Sequence, residues 1–154
     1  MLLYSSFISE GENLHNQPPR RVLFITYINP WNPRYGGAHR CYGVIEGLAE
    51  RSDLHVAFAG SHRPDIDGFL TWPSPAGVTR HVLSPGSGWD GIDDWDAGRT
   101  VRAALGKGKY AVAFHRLVQE LRPDIIWYYE VEALRLTGLT HLSLSILYHC
   151  DLRW

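Results

Sequence analysis

The chain has 154 residues, 45% of them hydrophobic and 20% charged, with a formal net charge of -1. That size suits one domain able to bury its own core, and the near-neutral charge gives no electrostatic reason to expect nucleic acid as a partner. No run approaches the ~20 apolar residues that a membrane span needs, although peripheral association with a membrane stays open.

The opening stretch, MLLYSSFISEGENLHNQPPRR, holds a short apolar patch without a basic start. Glu10 and Glu12 stand where a signal peptide would carry small residues for cleavage, so residues 1–19 are expected to be a flexible leader, with one domain over 20–154. RRVLFITYI (20–28) is a β-branched and aromatic run with a basic start, the pattern of a strand buried on both faces. A loop with Pro30 and Pro33 leads to the adjacent pair Gly36-Gly37, and then to AHRCYGVIEGLAERS. There Cys41, Val44, Ile45 and Leu48 fall at helical spacing. Gly43 and Gly47 each cost about 1 kcal/mol against Ala inside a helix, and close packing on a sheet is the expected compensation.

LHVAFAG (54–60) and VTRHVLSP (78–85) read as two further strands, separated by a loop with Pro64, Pro73 and Pro75. The Gly- and Asp-rich GSGWDGIDDWDAG (86–98) leads into a long helix near 99–122, with Ala111, Phe114, Leu117, Val118 and Leu121 as its apolar face. PDIIWYYE (123–130) is a strand opened by proline, EALRLTG is a short helix ended by Gly138, and LSLSILYH (142–149) is the last strand. Strands alternating with helices imply right-handed βαβ units, hence an α/β fold with a doubly wound, mainly parallel sheet. A chain ending at Trp154, soon after a strand, makes that layered domain look incomplete at its C-terminal end. Two cysteines, Cys41 and Cys150, are too few for a disulfide framework, and reduced thiols in the cytoplasm are the expectation.

In such a sheet, ligands collect beyond the carboxyl ends of the strands. The Gly36-Gly37 loop occupies that position, where helix N–H groups favour an anion and glycine lets a phosphate approach the backbone. A turn requiring positive φ is the competing explanation, and the fuller G-x-G-x-x-G spacing of a nicotinamide site is missing. GKGKY (106–110) lacks the upstream glycine and the Ser or Thr of a phosphate loop. His149 and Asp151 lie just past a strand end, where an Asp can orient a His as a base or bind a sugar hydroxyl; a satisfied imidazole in a turn is the alternative. His149, Cys150 and Asp151 are too close in sequence to converge on a metal, and none is expected.

HRPDIDG (62–68) and DGIDDWD (90–96) look like calcium-loop fragments, but neither completes the twelve-residue pattern, so solvated acidic loops are expected. Glu130 and Glu132 either face the cleft or sit in the first turn of the next helix, where acids suit the dipole. Trp72, Trp89 and Trp95 lie in loops rich in Gly, Pro and Asp. Exposed rings beside carboxylates are what a carbohydrate site uses, although loops folded over a core would also bury them.

Four stretches in order, RVLFITYINPWNPRYGGAHRCYGVIEGLAER, LHVAFAG, LVQELRPDIIWYYE and LSILYHCDL, together resemble the N-terminal domain of family 4-like glycosyltransferases of the GT-B fold. The resemblance spans roughly residues 20 to 152: a Gly-Gly pair after the first strand, a helix matched by Arg40, Val44, Leu48-Ala49 and Arg51, and a later PDII strand. It implies an acceptor-side domain of an enzyme that moves a sugar from a nucleotide-activated donor to a carbohydrate, glycan or lipid acceptor, with the nucleotide sugar as co-substrate and no further cofactor. Gly36, Gly37 and Arg40 would then line the donor diphosphate side, and His149 would contact the transferred sugar, although Cys150 here separates it from Asp151. Trp72, Trp89, Trp95 and Glu130 would be acceptor contacts. The resemblance also implies that donor-binding groups come from a second domain, so that this chain alone is half of an active site. A non-catalytic carbohydrate- or partner-binding module is the alternative, as is half of another GT-B enzyme such as a nucleotide-sugar epimerase.

Overall fold

The structure, a computed structural model, describes residues 18–85, 109–138 and 144–148. The leader through residue 17, the Gly- and Asp-rich stretch with Trp89 and Trp95, and His149, Cys150 and Asp151 lie outside the described residues. Five strands alternate with four helices: β1 (Arg21–Thr26), α1 (Gly36–Ala49), β2 (Asp53–Phe58), α2 (Arg63–Thr71), β3 (Val78–Val82), α3 (Ala111–Leu121), β4 (Ile125–Tyr129), α4 (Glu130–Thr137) and β5 (Leu144–Tyr148). All pairings are parallel, in the order β3-β2-β1-β4-β5, with Val22 opposite both Leu54 and Ile125. This is the expected Rossmann-like α/β fold.

The central strand shows why its run is apolar without alternation. Val22 and Phe24 pack with Cys41, Ile45 and Phe69 under α1 and α2. Leu23 and Ile25 pack with Phe114, Val118 and Ala133 under α3 and α4. Every residue from Val22 to Thr26 is therefore buried, whichever face it points to. Because α1 and α2 follow β1 and β2 on one face, and α3 and α4 bracket β4 on the other, the order in which strands are added reverses between β1 and β4. That reversal opens a crevice at the carboxyl ends of these two strands.

Three sequence expectations change. Gly36 and Gly37 are the first two residues of α1, not a loop ahead of it. Neither is among the positive-φ residues, so the turn explanation falls. Gly43 and Gly47 are exposed, and a Cβ at either would meet nothing within 4 Å, so sheet packing does not compensate for them. Finally, HRPDIDGFLT is not an acidic loop, because Arg63–Thr71 forms α2 with proline in its first turn. Pro64 lacks an N–H exactly where a helix leaves its first N–H groups unbonded anyway, and Phe69 buries the inner face.

Candidate functional site

The crevice is built from the residues that leave β1 and β4. Thr26 ends β1 fully buried, and its hydroxyl both accepts from the Ile28 N–H at 3.0 Å and donates to the Ile28 carbonyl at 2.8 Å, turning the chain out of the sheet. The buried thiol of Cys41 in α1, in no disulfide, reaches the same hydroxyl at 3.7 Å. Asn29 is buried and works in two directions: its Oδ1 accepts from the Trp31 N–H, and its Nδ2 donates to the Asp65 carbonyl, both at 3.0 Å. One side chain thus fixes the loop after β1 and ties it to the start of α2. Asn32 accepts from the Arg34 N–H, and the His39 ring bonds the Pro33 carbonyl, which carries the loop into α1.

The N-terminus of α1 is bare. Tyr35 precedes it without a side-chain cap, and its first turn holds no acid. A Cβ on Gly36 would meet nothing within 4 Å, while one on Gly37 would lie 2.9 Å from the Tyr35 ring. Tyr129, the buried last residue of β4, donates its hydroxyl to the Gly37 carbonyl at 3.3 Å, which holds the helix start over the β1–β4 crevice. Arg40 stands exposed just beyond the first turn of α1.

Glu130 follows Tyr129 and opens α4. It is 8% exposed and has φ of +68°, a left-handed conformation for a residue with a Cβ. Such a backbone costs of order 1 kcal/mol and concentrates at functional sites. Glu130 and Glu132 are in the first turn of α4, as the second of the two expectations had it, and Glu130 directly follows the last residue of β4.

A cleft of about 740 Å³ opens beside this edge, between the β1–α1 loop and α2, lined by Trp31, Tyr42, Trp72, Arg34 and Asp65 among others. Trp31 is its most buried aromatic, stacked on Phe69 at 5.9 Å and edge-on to Tyr42 at 5.9 Å. Arg80 from β3 lies 5.4 Å from the Trp31 ring and donates to the carbonyls of Phe69 and Trp72 and to Ser74. Burial pulls the Arg80 pKa below its ordinary value, consistent with a cation spent on fixing the end of α2. Trp72 caps α2, its N–H bonded to the Gly68 carbonyl.

Of the residues singled out from sequence, the structure gathers Gly36, Gly37 and Glu130 at the crevice edge and sets Trp72 in the adjoining cleft. Asn29, Trp31, Tyr42 and Tyr129 were missed. Trp31 stands between Pro30 and Pro33, the same signal that drew attention to Trp72. Asn29 and Tyr129 carried none that separates them from ordinary strand-end residues. Among the described residues no group of His, Cys, Asp or Glu could hold a metal ion, and no helix is long and apolar enough to cross a membrane. No family model matches the chain, and no curated protein or solved structure was found similar to it.

Proposed function

We propose that this chain supplies the acceptor-side domain of a glycosyltransferase using a nucleotide-activated sugar, with the diphosphate of the donor received at the start of α1. The observation that carries the reading is Gly36. It needs no left-handed backbone, has no neighbour that a side chain would strike, and opens an uncapped helix beside the crevice. Nothing among the described residues calls for glycine there, whereas a phosphate closing on the helix N–H groups does. The leaving diphosphate gains negative charge as the sugar transfers, and preoriented N–H dipoles stabilise that charge. Arg40 adds a nearby cation, Glu130 offers a carboxylate to sugar hydroxyls, and His149 and Asp151, outside the described residues, are carried by their sequence position past the last strand and by the family resemblance. A reducing cytoplasm suits the Cys41 thiol, which is in no disulfide.

The test is an assay of the complete gene product, following release of nucleoside diphosphate from a panel of nucleotide sugars. Turnover that falls about a hundredfold in Gly36→Val, with melting temperature unchanged, is the expected result. Full activity in Gly36→Val and Gly37→Val would remove the diphosphate role.

A further inference from the structure

We infer that the cleft between the β1–α1 loop and α2 is a saccharide subsite, with Trp72 as its stacking platform and Asp65, Asn32 and Arg34 as its polar rim. This deepens the transferase reading by naming the acceptor class as a glycan rather than a lipid tail.

The first reason is that Trp72 is held in place yet open. Its side is 36% exposed, and a Cβ on Gly68 would lie 3.0 Å from both Cε2 and Cζ2 of its indole. The ring therefore rests against the backbone of α2 where a side chain is missing, and its free surface borders the cleft. Arg80 fixes the same segment through the Trp72 carbonyl at 2.8 Å. A platform fixed before binding loses little entropy when a ligand stacks on it.

The second reason is the mixture of groups. Trp31, Tyr42 and three prolines (Pro33, Pro64, Pro73) give apolar walls, while Asp65, Asn32 and Arg34 supply an acceptor, an amide and a donor fork. A pyranose presents apolar C–H faces and a rim of hydroxyls, and matches both sets. An acyl chain would strip water from Arg34 and from Asp65, whose carboxylate meets only the exposed His62 ring at 3.2 Å, and would return no hydrogen bonds, which is costly. The volume of about 740 Å³ lies inside the range of small-molecule sites and exceeds what one ring needs.

The third reason is an orphan. The Trp31 Nε1–H is buried and has no hydrogen-bond acceptor among the described residues. A buried donor left unpaired costs about 1–3 kcal/mol, and a hydroxyl oxygen entering beside it, with a small movement of the wall, would supply the acceptor.

The experiment is a titration of the ¹⁵N-labelled protein with cellobiose, lactose, chitobiose and maltose, reading the six indole N–H signals. The Trp31 and Trp72 signals, assigned by their loss in Trp31→Phe and Trp72→Phe, are expected to shift with at least one disaccharide. Binding should weaken about tenfold in Trp72→Ala and in Asp65→Asn, which leaves the apolar walls untouched. UDP and GDP are titrated in parallel. Nucleotide binding without disaccharide binding overturns the subsite and spares the transferase reading. Disaccharide binding that shifts both indoles without any nucleotide response supports the subsite, and the turnover assay of the complete gene product then decides the transferase reading separately, because its donor-binding groups are implied to come from a second domain. Shifts confined to other tryptophans, or equal binding in Trp72→Ala and Asp65→Asn, overturn it.

Discussion

The two edges of the sheet are built on opposite terms. At the amino ends of the strands Arg21, Asp53 and Asp124 are matched to one another. Arg21 donates its backbone N–H to Asp124 at 2.8 Å, its Nε to Asp53 at 2.7 Å and an Nη to the Leu121 carbonyl at 2.7 Å. One residue of β1 thereby ties β2, the end of α3 and the start of β4. The hydrogen bond from Arg21 holds the Asp53 carboxyl below its usual range. At the carboxyl ends stand an uncapped helix, a glutamate in left-handed backbone, and a buried indole without an acceptor among the described residues, whereas the left-handed Arg122 on the amino side is an ordinary cap at the end of α3. Interactions that only hold a fold together can be optimised without limit. Groups that must meet a ligand are left incomplete until it arrives, which is the contrast that the proposed site at the carboxyl edge calls for.

The sharpest break of this comparison is the hundredfold loss of turnover in Gly36→Val. Its counterpart at the amino edge is Arg21→Met, expected to lower stability by about 1 kcal/mol, since its partners are largely solvated, and to leave turnover per folded molecule unchanged. Denaturant unfolding alongside the nucleotide-sugar assay separates the two. An Arg21→Met enzyme that is stable but inactive would erase the division of labour between the edges.

Gly43 and Gly47 sharpen it further, because like Gly36 they leave open space around an added Cβ, yet they lie farther along α1. Alanine at each should raise stability by about 1 kcal/mol without touching turnover. If alanine there costs activity, open space at Gly36 no longer singles out a ligand contact. A smaller effect is expected at Glu130. Gly and Ala both remove the carboxylate, and only Gly relieves the left-handed backbone, so Glu130→Gly should be the more stable by roughly 1 kcal/mol, with the two equally impaired in turnover. Equal stabilities would mean that the backbone there carries no strain.

How much of this was legible follows the physics of each element. β1 and β2 were plain because a strand buried on both faces leaves an unbroken apolar run, and α1 because Cys41 and Ile45 keep helical spacing into the core. α2 was hidden because Pro64, Asp65, Asp67 and Gly68 are poor helix formers, and its stability is tertiary: Phe69 buried, Asn29 on the Asp65 carbonyl, and Arg80 on the Phe69 carbonyl. The Gly-Gly pair was placed at the right edge but given the wrong backbone, since sequence shows that glycine is present and not the φ it adopts. No residue pattern foretold the left-handed Glu130, the Tyr129 bond to Gly37 or the Trp31 orphan. These are products of where β1 and β4 end relative to one another.

The pairing that starts at the matched edge runs inward to the middle of β2 and β3, and there it titrates. From Asp53 the pairing continues along one face: Asp53 Oδ1 lies 3.4 Å from His55 Nε2, and His55 Nδ1 lies 2.9 Å from His81 Nε2, with the two rings stacked. A carboxylate on Nε2 places the His55 proton there, leaving its Nδ1 to accept from His81. Burial, then the charge of His55, pull the His81 pKa below its ordinary 6.5, with Glu120 opposing. As pH falls through about 6.5 the unfolded chain therefore takes up the His81 proton before the folded chain does, so stability is full above that pH and declines below it. Melting curves from about pH 8 to pH 5 should show that decline in the parent, and a shallower one in His81→Gln, whose amide still donates to His55 but cannot take a proton. The effect is smaller than the others because His81 is only half-buried. Parallel curves for the two proteins would mean that the pair is as well satisfied protonated as neutral, and that the pairing running inward from the amino edge has no weak point within the physiological range.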